Sequence, residues 1–129
     1  GLPDGAPARG RRLRGRLAWH AGRAAEDQVE QRYRRRGYEV AARRWRGPGG
    51  EIDLILREAG RITFVEVKAA ETHALAAERV SGRQAGRIAA SASAFLAGEP
   101  GGQDTEMTFE VALVDGAGRI EVVENAFLF

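Results

Sequence analysis

Residues 50–68, Gly-Glu-Ile-Asp-Leu-Ile-Leu-Arg-Glu-Ala-Gly-Arg-Ile-Thr-Phe-Val-Glu-Val-Lys, decide the fold. Two apolar, β-branched runs, Glu51–Arg57 and Ile62–Ala69, flank Glu58-Ala59-Gly60-Arg61, the pattern of a β-hairpin with a tight turn. If Ala59-Gly60 is the turn, facing positions sum to 119, so Glu58 faces Arg61 and Asp53 faces Glu66. Opposed residues of an antiparallel pair have Cβ atoms ~5 Å apart, and like charges there repel. Burying such a pair uncompensated costs several kcal/mol, so it needs a proton, a cation or an arginine. A bound divalent ion is one natural answer. Side chains alternate along a strand, which puts Glu66 and Lys68 on one face ~6.6 Å apart, with the Val67 carbonyl between them as a further oxygen ligand. Blander explanations exist: Asp53 capping a turn, Glu66 pairing with Lys68 on an exposed strand, or a three-residue loop that staggers the two acids. The apolar flanks weigh against them.

Outward from the hairpin, the chain reads as α-β-β-β-α-β-β. Ala18, Ala21, Ala25, Val29 and Tyr33 recur at helical spacing from about Leu17 to Arg36, and Gly37 ends the run. Tyr38–Trp45 reads as a strand, and the Gly-Pro-Gly-Gly of 47–50 reads as a turn, lacking the spacing of a phosphate-binding loop. Ser81-Gly82-Arg83-Gln84 has the form of a capping box. It precedes a helix of about 16 residues whose apolar stripe is Ala85, Ile88, Ala89, Ala92, Phe95 and Leu96. Met107–Val114 and Arg119–Val123 form a last hairpin around Asp115-Gly116. The fold class is α/β, a mixed sheet with helices packed on it and no internal repeat.

The 129 residues suit one domain. Residues 1–16, rich in Gly, Pro and Arg, read as a disordered basic tail, and 17–129 as the domain. There is no apolar run of ~18 residues and no signal-peptide segment, which reads as a cytoplasmic protein with no membrane partner. With no cysteine, any metal must be held by oxygen or imidazole, which favours Mg2+ or Mn2+. Residues 1–46 hold 13 arginines against five acids, whereas 47–129 hold seven basic residues against 13 acids. Such a basic front suggests a polyanion partner or a solvated tail. Nineteen of the 20 basic residues are arginine, and the one lysine is Lys68. An ammonium is a compact charge of tunable pKa, which a guanidinium cannot replace, so the exception suggests chemistry that needs an amine.

Paired carboxylates beside an amine suit metal-assisted phosphodiester hydrolysis: the carboxylates hold a hard cation, and the ammonium orients water or steadies developing charge. At Gly50–Ile55 and Phe64–Lys68 the sequence resembles the PD-(D/E)xK superfamily, the restriction-endonuclease-like fold. More closely, it resembles the YraN-like family of small bacterial predicted endonucleases, which is similar to archaeal Holliday-junction resolvases. The resemblance spans about residues 17–127 and includes Gly22, Glu26, Gly37-Tyr38 and Asn125-Ala126-Phe127. It implies that Asp53 and Glu66 are metal ligands, Lys68 the catalytic lysine, and Glu26 an additional acid reaching the metal or its water. The chain departs from the family at Ala70, where arginine is typical, at Arg83, where lysine is usual, and at Thr108-Phe109-Glu110, where Arg-Phe-Asp is common.

The expected function is a DNA endonuclease that reads DNA shape (branched, flap or single-stranded) more than sequence. Arg43, Arg46, Arg83 and Arg87 are candidate phosphate contacts. A homodimer would supply the two sites that duplex cutting needs. Two rivals remain: a nucleic-acid-binding module that kept the fold and lost turnover, and a protein-interaction subunit. Trp19, Tyr33, Tyr38 and Trp45 read as core or half-buried strand residues before base-stacking ones, and His20 and His73 take no ligand role.

Overall fold

The structure, a computed structural model, describes residues 22–79 and 82–124. The expected tail at 1–16, Ser81 and the side chains of the expected capping box at 81–84, and the closing Asn125-Ala126-Phe127 lie outside the described residues. Helix α1 covers 22–35 and buries Ala25, Val29 and Tyr33, each four residues from the next. It ends as its sequence predicts: Gly37, at φ 91°, donates to the Arg34 carbonyl, and the Tyr38 N–H reaches back to the Tyr33 carbonyl.

Three antiparallel strands follow: β1 Glu39–Gly47, β2 Gly50–Glu58 and β3 Arg61–Ala69. Next come the short helix α2 His73–Glu78, the longer α3 Gly82–Leu96, a single 3-10 turn at Gly102–Asp104, and strands β4 Met107–Val114 and β5 Ile120–Glu124. The sheet order is β1-β2-β3-β4-β5, and β3–β4 is the parallel pair, bridged by α2 and α3. This is the expected restriction-endonuclease-like α/β arrangement with one helix more. Helix α2 has six residues and one side-chain cap, the Leu75 N–H donating to Thr72 Oγ1, too little periodicity to stand out in sequence.

Both faces of the sheet are covered, so its strands are apolar on consecutive residues and do not alternate. On one face Val29 and Tyr33 of α1 pack on Leu54, Leu56, Val65 and Ala112. On the other, Ile88, Ala92 and Leu96 of α3 pack on Ile55, Phe64, Val111 and Leu113. Trp45 is edge-on to Phe95 in this second layer, and Tyr33 is edge-on to Tyr38 in the first, which gives these rings packing roles.

The stripe of α3 differs from its sequence reading at two positions. Ala89 is exposed, and Ser91 is fully buried. Ser91 faces inward because its hydroxyl fastens the β1–β2 turn: Oγ accepts from the Gly49 N–H at 3.0 Å and donates to the Gly50 carbonyl at 2.8 Å. Position 49 must be glycine, since a Cβ there would stand 1.9 Å from the Arg87 carbonyl oxygen. Ser91→Ala removes the partner of the Gly49 N–H and the Gly50 carbonyl and is expected to cost about 1–2 kcal/mol in urea unfolding, whereas Ser93→Ala on the exposed side stays within about 0.5 kcal/mol. Equal losses in the two variants would show that the turn is not held by this hydroxyl.

Candidate functional site

The β2–β3 turn is the tight one: Ala59 and Gly60 sit at φ 50° and 80°, the left-handed pair that matches strand twist. The register that follows pairs Glu58 with Arg61 and runs to Leu54 with Val65, so the sum of 119 holds throughout. Asp53 and Glu66 come next, and there the backbone ladder stops. The Val67 N–H donates to Asp53 Oδ2 at 2.8 Å, and the Asp53 N–H points to Glu66 Oε1 at 3.4 Å. Side-chain carboxylates have replaced carbonyls as acceptors.

The β1 side of Asp53 is irregular as well. Arg43 pairs with Leu54 and Trp45 with Ile52, and Arg44 lies between them with φ 45°, a left-handed conformation costly for a residue with a side chain. Its guanidinium crosses to α1 and binds Glu26 Oε2 at 2.8 Å. Glu26, Arg44 and Asp53 line one small cleft between α1 and the β1–β2 hairpin.

Burial dominates the electrostatics. Glu66 is 4 % exposed, and burial, reinforced by the Asp53 charge and opposed by Lys68, pushes its carboxyl from 4.5 up to about 8. The Asp53 carboxyl is raised by burial too, against the lowering effect of the Val67 N–H. The two carboxyls lie close enough to act on one another, and the Asp53 charge raises that of Glu66. Glu26 is raised by burial and by the Asp53 charge, and Arg44 opposes.

The structure therefore brings Asp53, Glu66 and Lys68 together and sets Glu26 at their margin. Among the described residues no three His, Asp or Glu side chains gather into a ready cage for a metal. Two adjacent, desolvated carboxylates still fit a hard cation such as Mg2+, which binds through one or two carboxylates and keeps several waters.

Of the candidate phosphate contacts, Arg43 is engaged by Glu30, with Nη2 to Oε2 at 2.9 Å, and Arg34 joins the same carboxylate. Burial opposes, but these contacts hold Glu30 below the usual carboxylate range. Arg46 and Arg87 are exposed, and the Arg83 side chain lies outside the described residues. Glu110 is buried and accepts from the Tyr33 hydroxyl, so the acid at this departure from the family pattern has a structural use. Sequence reading missed the conformation of Arg44, which leaves no mark in the run Arg-Arg-Trp-Arg, and it missed Arg79. The latter stands in a cleft of about 700 Å³ at the carboxyl ends of β3 and β4, bordered by Gly22, Ala25, Lys68, Ala70 and Gly116.

The sequence pattern of the family described as Uncharacterised protein family UPF0102 matches residues 25–124. The chain belongs to the UPF0102 family. It is 56 % identical over 115 residues to a UPF0102 protein of Cereibacter sphaeroides, covering 89 % of this chain and 98 % of that one. A UPF0102 protein of Ruegeria pomeroyi is 57 % identical over 107 residues, 83 % of this chain and 87 % of its own. One from Dinoroseobacter shibae is 46 % identical over 118 residues, with coverage of 92 % and 88 %. The match includes every element that builds the site of this UPF0102 chain, from Ala25 on α1 to β5.

A stability test follows from the buried pair. Because the folded-state pKa of Glu66 lies above its ordinary value, the stability it contributes is fully present below pH 4.5 and is lost as the pH rises through about 8. Glu66→Gln cannot ionise. In EDTA it is expected to be more stable than wild type by a margin that opens across that interval and reaches about 2–5 kcal/mol. Urea unfolding from pH 4 to 9 measures it, and a margin independent of pH would contradict the assignment.

Proposed function

We propose that the protein is a metal-dependent DNA endonuclease that hydrolyses phosphodiester bonds in the cytoplasm and selects branched, flap or single-stranded DNA over sequence. One observation carries this reading: the half-buried Asp53 and the buried Glu66 stand side by side where the β2–β3 ladder stops, and Glu66 is two residues from the only lysine, which borders an open cleft. A protein with no use for this pair would gain stability by replacing it. No helix among the described residues is long and apolar enough to cross a membrane, which accords with a partner met in water.

Asp53 and Glu66 would hold Mg2+ or Mn2+, with the Val67 carbonyl and Glu26 as further oxygen donors. When bound, the cation supplies charge to polarise the phosphate and lowers the pKa of a coordinated water. The rest belongs to the chain. The Val67 N–H fixes Asp53 in one rotamer, and the Glu66 carboxylate takes its orientation from the Asp53 N–H. Lys68, whose charge acts on both acids, stands where an ammonium can orient the attacking water and offset charge developing on the phosphate. The two layers on the sheet keep the acids desolvated, so each of these interactions is stronger than in water. Cutting both strands of a duplex would bring two copies together.

Labelled single-stranded, duplex, flap and four-way DNAs incubated with Mg2+ or Mn2+ test the proposal. Cleavage is expected for wild type, with Asp53→Asn and Lys68→Ala slower by at least about 100-fold at unchanged far-UV circular dichroism. Equal cleavage by wild type and Asp53→Asn would sink it. Salt-sensitive binding without product would leave a binding module.

A further inference from the structure

Arg34, Arg43, Arg44 and Arg57 reach acids, namely Glu30, Glu26 and Glu99. Arg79 does not. Its Nη1 donates to the Ala69 carbonyl at 2.8 Å, and among the described residues no carboxylate lies within 4.0 Å of it. A guanidinium has five donor hydrogens, so this bond fixes the head group and leaves most of the fork free. Ala69 follows Lys68 directly, and Lys68 also forms no ion pair among the described residues. Both cations border the cleft of about 700 Å³.

The rest of the cleft explains what two free cations would meet. Gly22, Ala24 and Ala25 of α1, with Ala70 and Gly118, keep its walls free of bulk, so a ligand backbone can approach closely. It lies at the carboxyl ends of parallel strands, the usual ligand position in such sheets. Acids border the cleft as well. The Glu71 carboxylate lies over Gly116, where an added side chain would meet it at 2.8 Å, and Asp115 holds the β4–β5 turn through the N–H groups of Ala117 and Arg119. With two cations and two acids in its lining, the cleft has charge enough to hold one phosphate backbone and none to spare for a second.

We infer that this cleft binds a single strand of DNA, with a phosphate held between Lys68 and Arg79. Arg79 is then a substrate-binding residue of the hydrolytic site, and its guanidinium is pre-positioned by the Ala69 carbonyl before substrate arrives. The inference rests on the nuclease reading for its choice of polyanion, but its test does not require turnover.

The experiment is fluorescence anisotropy of a labelled single-stranded DNA in EDTA, across a salt series, with wild type, Arg79→Ala, Arg79→Lys and Arg61→Ala. Arg61 starts β3 at the end away from Lys68 and controls for loss of a charge anywhere on the surface. Arg79→Ala is expected to weaken binding about tenfold and to reduce the slope of log affinity against log salt by about 0.7. Arg79→Lys should restore part of the affinity, and Arg61→Ala should stay within about twofold of wild type. Indistinguishable Arg79→Ala and Arg61→Ala, or no binding by wild type, would overturn the inference. Cleavage of the same strand in Mg2+ separates the two readings. Arg79-dependent binding without cleavage defeats the nuclease and keeps the cleft, whereas cleavage unaffected by Arg79→Ala defeats the cleft alone.

Discussion

The hydrogen bond from the Val67 N–H to the Asp53 carboxylate is the contact on which the site depends. A regular ladder would have matched Val67 with a backbone carbonyl and continued past Leu54–Val65. Accepting instead through its side chain, Asp53 ends the pairing one step early and remains between the two apolar layers. The same departure appears on the β1 side, where Arg44 takes a left-handed conformation opposite Asp53. A left-handed residue with a side chain costs on the order of 1–2 kcal/mol, and it persists because flanking pairs on both sides fix the strands.

Elsewhere the chain treats its charges differently. Glu30 and Glu99 are nearly buried, and each is met by an arginine. Among the described residues no buried side-chain polar atom lacks a partner. Asp53 and Glu66 are instead set against each other, and the Lys68 charge only partly offsets the effect of burial on them. A sequence that meets its acids with arginine at other positions has here set two acids against each other. That contrast localises function more sharply than any cleft volume, because it identifies where stability was given up.

Much of this was legible in residues 50–68. A two-residue turn fixes a hairpin register, and a register fixes which side chains oppose, so Asp53 and Glu66 could be placed together by counting. The apolar stripe of α1 was equally plain, because Ala25, Val29 and Tyr33 keep strict spacing. What escaped depended on contacts between distant segments. Ser91 looks like a surface serine until the β1–β2 turn is laid against α3, and Ala89, apolar in type, is left outside by the same rotation. Helix α2 is shorter than the window in which periodicity can be recognised. The conformation of Arg44 and the anchoring of Arg79 on a carbonyl are backbone events with no compositional sign.

Charge counting was the weakest guide for a related reason. The first 46 residues carry 13 arginines, which suggests a broad basic face. Yet Arg34 and Arg43 converge on Glu30, Arg44 on Glu26, and Arg32 donates to the Ile120 carbonyl. Three of these arginines, Arg32, Arg43 and Arg44, fasten α1 to the sheet. The acidic second half contains Lys68 and Arg79, which have no carboxylate partner among the described residues. A polyanion responds to charge left uncancelled at short range, since paired charges screen one another within a Debye length of about 8–10 Å. Among the described residues, two cations without a carboxylate partner thus meet at the carboxyl ends of β3 and β4, in the half of the chain whose net charge has the opposite sign.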